Sequence, residues 1–192
     1  MFDNPPTFDS VWLVLFSVTL LYDIVQERQY IFIYYTIWTF TLETLFFVLK
    51  ALRREREARM LYPYIFAPSI VVCCGFWLII APVFLTAGIP TNIVLIAVTH
   101  GCNMVAMLQQ SYIILNRDFW KPILYTIVYN VFLAIYVGSG GRSISGRRPY
   151  WYAKYDEWIG WIFAGLAVAA VGIVHVVFSV QKTRQLQKVF VV

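Results

Sequence analysis

Apolar residues fall into six long runs, roughly 9–25, 30–51, 63–87, 92–115, 119–137 and 158–180, with short polar breaks between them. About 20 consecutive apolar residues are enough to cross a bilayer as a helix, so each run predicts one transmembrane span; Asp23 cuts the first short. The connections are brief except at RREREAR (53–59) and at the longer segment 138–157. Brief connections make consecutive helices antiparallel neighbours. The expectation is an all-α integral membrane bundle of six helices, one domain over residues 1–192.

The fourth run breaks the apolar pattern most informatively, because it carries His100, Asn103, Gln109 and Gln110. A polar group in hydrocarbon without a partner costs several kcal/mol, about 2–7 depending on the reference state. Such residues should therefore face protein or a cavity. At helical spacing His100, Asn103, Met107 and Gln110 share one side and form an inward stripe. On the second run Thr36, Thr39 or Phe40, and Glu43 share a face in the same way. Glu43 is the carboxylate placed deep in a span, and an intramembrane ionisable residue points by default to a site and a partner. The partner expected here is Asn103 or Gln110, bonded across helices to a neutral glutamic acid.

Depth connects the two stripes. At 1.5 Å rise per residue, Thr36 lies about 9 Å into its span and His100 about 12 Å into its own, so they are level. A Thr hydroxyl level with an imidazole is the minimum for a base-activated nucleophile. Glu43, with Asn103 and Gln110, would form a polar ladder below that pair.

Composition sharpens the class. A mean hydropathy of +0.70 with 60% hydrophobic residues lies far outside the range of soluble domains. Trp and Tyr near the ends of the runs fit the headgroup level. The net charge of +5 reads as a topology signal. Ten of the 15 Lys and Arg fall on the side that holds the termini and RREREAR, which places both termini in the cytosol or its equivalent. In RREREAR, Glu55 and Glu57 interleave with the arginines, giving a headgroup-facing turn with no nucleic-acid partner. MFDNPPTFDS has acidic residues where a secretory signal or mitochondrial presequence would place basic ones, so no cleavable targeting segment is expected. Cys73, Cys74 and Cys102 lie inside apolar runs and read as small buried hydrophobes, with no metal site and no cofactor expected. Gly165, Ala169 and Gly172 make a small-residue face on the sixth run for close helix contact. His175 reads as an interfacial or capping group. The glycines at 138, 140, 141 and 146 lack the ending of a phosphate loop and read as a flexible turn.

Several motifs also occur in a familiar order: YYTIWTFTLETLFF at 34–47, Pro68 followed by Phe76-Trp77, His100-Gly101-x-Asn103, and a Gly-Gly turn leading to PYWYAKYDEW. Together they resemble the androgen-induced and rolling-stone-like polytopic membrane proteins over roughly spans two to six. One branch of that family hydrolyses fatty acid esters of hydroxy fatty acids with a Thr in span two, matched by Thr36, and the second His of a His-x-x-His in span four. Here that second position is Asn103, and an amide cannot accept and return a proton as imidazole does. His-Gly-x-Asn and the Gly-Gly and Tyr-x-Tyr turn are closer to the rolling-stone branch. The function expected is therefore a non-catalytic, lipid-contacting protein with other membrane subunits as partners. The alternative is an intramembrane lipid ester hydrolase using Thr36 and His100.

Overall fold

A computed structural model of the chain describes residues 6–27, 32–86, 96–143, 150 and 153–190. The starts of the second and fourth runs, the end of the third, Gly146 and the first half of the N-terminal decapeptide lie outside the described residues. Within them the protein is all-helical. The helices are α1 (Pro6–Glu27), α2 (Tyr35–Ala51), α3 (Glu55–Gly75), α4 (Ala81–Thr86), α5 (Asn103–Leu108), α6 (Trp120–Gly138) and α7 (Trp158–Phe190). A π turn, Phe76–Ile80, joins α3 to α4 as one rod, and a second, Val98–Cys102, leads into α5. Among the described residues four stretches are long and apolar enough to cross a membrane: Phe8–Gln26, Glu55–Ile80, Asn116–Gly138 and Trp158–Val180. The protein is membrane-embedded.

α3 is the hub, packing most extensively on α2 and also meeting α5, α6 and α7, while α1 packs on α2. The α2–α3 hairpin is closed by a Schellman turn: Arg54 N–H donates to Leu49 O at 2.8 Å and Arg53 N–H to Lys50 O at 2.9 Å. Arg53 takes the left-handed conformation, φ +58°, that such a turn demands. α6 ends in the same way, Gly141 N–H donating to Tyr136 O and Gly140 at φ +87°. The glycine turn read from the sequence is thus a defined helix stop.

Three boundaries differ from the sequence reading. α3 begins at Glu55, inside RREREAR, because Glu55 and Glu57 favour the first turn of a helix and Arg54 pairs with Glu57 at 2.6 Å. α7 continues past 180 to Phe190, 33 residues and about 50 Å in length. The fourth run ends its helix at Leu108, and 109–115 runs on without helix. The side chains of that segment explain the break. Trp12 Nε1–H donates to Gln109 Oε1 at 3.0 Å, Lys50 Nζ donates to Gln110 Oε1 at 2.8 Å, and the Tyr112 hydroxyl donates to Glu55. Lys50 also pairs with Asp9 at 2.7 Å and, with Arg59, lies near the Tyr112 ring. These bonds tie α1, α2 and α3 together at the basic end of the bundle. His175, 1% exposed, adds a contact to Leu115 O at 3.1 Å, so α7 is fastened to the same segment.

Near that end the core is aromatic and closed. Phe16, Phe40, Phe46, Phe47, Tyr62 and Phe66 are all buried, with ring centroids 4.6 Å apart for Phe16 and Phe40 and 5.1 Å for Phe46 and Phe47. Of the small-residue face on α7, Gly172 alone packs closely, a Cβ there lying 3.4 Å from the Phe119 ring. Gly165 has open space beside it and Ala169 is exposed. The face is wider in the sequence than in the fold because α7 touches its neighbours along only part of that side.

Candidate functional site

At the opposite end the helices do not close. Between α2, α3 with its π turn, α6 and α7 lies a cavity of about 470 Å³, a volume within the roughly 300–1,000 Å³ typical of small-ligand sites. Its walls are apolar for the most part: Ile70 and Val71 on α3, Leu78 to Ile80 on the π turn, Leu133 on α6, and Phe163, Leu166, Ala167 and Ala170 on α7. Thr36 and His100 both line it. Among the described residues no charged side chain does.

The polar part of the wall is a tyrosine network. Thr126 donates its hydroxyl proton to Pro122 O at 2.8 Å, so the Tyr35 hydroxyl, 2.8 Å away, is the donor to Thr126. Tyr35 N–H donates to the Tyr150 hydroxyl at 2.9 Å, and Tyr129 donates to Ile33 O at 2.7 Å. Tyr155 donates to Asn130 Oδ1 at 3.1 Å; burial pushes its phenol up to about 12, so it stays a donor at neutral pH. One step along α2, Thr39 donates to Tyr35 O and accepts from Tyr125 at 3.2 Å. This ladder joins α2 to α6 and fixes the rim of the cavity.

His100 sits in the π turn Val98–Cys102 and stacks on Phe76 of the other π turn, ring centroids 3.8 Å apart and planes 8° from parallel. A π turn inserts one residue into a helix and such bulges gather at functional sites. Two of them meet here, face to face, at the cavity wall. His100 Nδ1 is buried without a hydrogen-bond partner, and among the described residues no carboxylate bonds it. No hydrogen bond joins Thr36 to His100, so the shared wall is not a formed nucleophile–base pair.

The remaining sequence candidates take different hydrogen-bond partners. Glu43, fully buried, is bonded to Ser69 of α3, where the sequence reading expected Asn103 or Gln110. Ser69 carries one hydroxyl proton for two acceptors, Glu43 Oε1 and Ile65 O, the latter at 2.6 Å. Glu43 Oε2 has no partner. Asn103 is buried, its Oδ1 accepting from Met104 N–H at 2.7 Å and its Nδ2 unpartnered. Gln110 belongs to the basic-end cluster through Lys50, and donates to Ala106 O at 3.1 Å. The helix ends at Leu108, so Gln110 leaves the stripe to which regular spacing assigns it. Of the cysteines, Cys73 is buried as expected, whereas Cys74 is exposed and lines the cavity. Among the described residues no cluster of His, Cys, Asp and Glu could hold a metal ion.

Sequence reasoning missed Tyr35, Tyr129, Tyr150 and Asn130, although Tyr34-Tyr35 and PYWYAKY stood out as motifs. Amphipathic rings near span ends read as headgroup anchors; only the fold turns them inward. Comparisons with protein-family models, curated proteins and solved structures found no match to this chain.

Proposed function

We propose that this protein is a non-catalytic membrane protein that holds a lipid in the cavity between α2, α3, α6 and α7. The observation that carries the reading is the composition of the wall: a space of about 470 Å³ within the apolar part of the bundle, lined by aliphatic and aromatic side chains and by uncharged polar groups, with no charged side chain among the described lining residues. Apolar surface is stabilised by contact with an apolar ligand at about 25 cal/mol per Å² buried. The surrounding helices leave that surface to a ligand rather than to each other.

The test is native mass spectrometry of the protein purified in mild detergent, beside Ala167→Phe, which puts a ring into the cavity. Wild type should carry a bound lipid at near one per chain, and the variant should lose it while keeping its melting temperature. Equal retention by both proteins would remove the reading.

The same reading places both termini on the basic, cytosolic side of six spans, supported by the distribution of Lys and Arg. Thiol labelling of Arg56→Cys and Ser139→Cys, both at exposed positions, should report opposite sides of the membrane.

A second reading, the Thr/His ester hydrolase, is favoured by one observation: Thr36 and His100 line the same cavity. The absence of a hydrogen bond between them, and among the described residues of a carboxylate on His100 Nδ1, weighs against it. Turnover of a hydroxy-fatty-acid ester that disappears in Thr36→Ala and in His100→Ala would replace the first reading with this one.

A further inference from the structure

We propose that the cavity takes a neutral, single-chain lipid bearing a hydroxyl or ester group, and takes it sideways from the bilayer through the gap between the π turn Phe76–Ile80 and α7. The proposal rests on the lipid-holding function and adds the class of ligand, its polar contact and its route.

The class follows from the wall. With no Lys, Arg, Asp or Glu among the described lining residues, an anionic or zwitterionic head would be buried without a counter-charge. The effective penalty for that is several kcal/mol per ion. Hydroxyl, amide and imidazole groups are present instead, and these match uncharged partners. Most are already engaged: Tyr35 with Thr126, Asn130 with Tyr155. His100 is different, because its Nδ1 is buried without a partner while the ring lines the cavity. In either tautomer of a neutral imidazole this nitrogen pairs with a hydroxyl, which can give or take the hydrogen bond. Phe76, stacked on His100, holds the ring plane in place for such a contact.

The route follows from residues that belong to two surfaces at once. Leu78 is 76% exposed, Ile79 54% and Leu166 59%, so they lie on the lipid-facing exterior, yet the same three line the cavity. A cavity whose walls continue onto the outside of a transmembrane bundle opens to the bilayer. Towards the basic end α3 and α7 are held together, Phe66 and Phe178 with centroids 5.2 Å apart. Towards the opposite end Phe163 and Leu166 of α7 face the π turn across the open space.

The experiment uses the full chain in nanodiscs with a 1-monoacylglycerol carrying a diazirine in its acyl chain. Irradiation should label peptides of the π turn and of α7 around Leu166. Unlabelled monoacylglycerol should compete, with an alkyl sulfate and a lysophosphatidylcholine of equal chain length roughly ten-fold weaker or worse. Equal or better competition by either charged lipid would overturn the neutral class while leaving a lipid site in place. No labelling at the cavity by this probe, together with no protection by any of the three lipids, would overturn the lipid-holding function itself. The route is read separately from the release rate of the bound probe. Leu78→Trp and Leu166→Trp should slow release several-fold, and Ile135→Trp, 67% exposed on α6 and outside the lining, should not. Unchanged release in both lip variants, or equal slowing in the control, would overturn the lateral route.

Discussion

The two ends of this bundle are made of nearly the same materials and pack differently. Near the basic end the rings of Phe16, Phe40, Phe47, Tyr62 and Phe66 interlock around Met107 and Ala106, all at 0–1% exposure. At the other end α2, α3, α6 and α7 surround a centre that stays open. What differs is the shape of the elements. On the closed side the helices meet with large rings from α1, α2 and α3 pointing at one another. On the open side α7 offers Ala167 and Ala170, α2 offers Thr36, and α3 changes register at its π turn after two internal prolines, Pro63 and Pro68. Proline removes a helix hydrogen bond and bends the rod. Composition thus places both halves in the membrane, while local helix geometry decides which half is a core and which is a site.

The largest expected effect of breaking this contrast comes from the closed half. Phe66→Ala deletes a buried ring held between Tyr62 and Phe178, and should cost about 3–5 kcal/mol. Reversible unfolding in mixed micelles measures it. A loss under about 1 kcal/mol would mean that this half is no better packed than the other. Next is Ser69→Ala, which takes the hydroxyl partner from Glu43 at the boundary between the halves; leaving a buried carboxyl short of a bond should cost about 1–3 kcal/mol. The same measurement on Glu43→Gln, which keeps an acceptor for Ser69, should show less than half that loss. The sharpest contrast is a matched pair. Ala106→Phe forces a ring into the closed half and should cost at least about 1–3 kcal/mol, whereas Ala167→Phe enters open space and should cost less than about 1 kcal/mol. Equal losses in the two variants would erase the distinction.

How far the chain could be read in advance depended on the scale of the signal. The apolar runs make the all-helical membrane class legible, because crossing a bilayer requires a long uninterrupted stretch whatever its details. Glu43 was found because a carboxylate among Thr, Leu and Phe is conspicuous, and Thr36 and His100 were matched because depth follows residue count in regular helices. The partners of those residues were harder. Ser69 was unremarkable as a small hydroxyl in an apolar run. Regular spacing puts Gln110 on the inner stripe because nothing in NMVAMLQQSY says that the helix stops at Leu108; the stop is set by bonds to Trp12, Lys50 and Glu55 that span 57 or more positions of the chain. π turns leave no residue signature, since they cost only one extra residue in a helix, and so the meeting of Phe76 and His100 came from the fold alone.

The central claim is that the open half is a lipid site, and Cys74 reports on it without any mutation. Cys74 is exposed and lines the cavity, while Cys102 is partly exposed and does not. Alkylation of both thiols by a bilayer-soluble maleimide can be followed by peptide mass spectrometry as monoacylglycerol is titrated into nanodiscs. The account predicts a saturable fall in the Cys74 rate with the Cys102 rate unchanged. A Cys74 rate that stays constant, or falls only in step with Cys102, would contradict it.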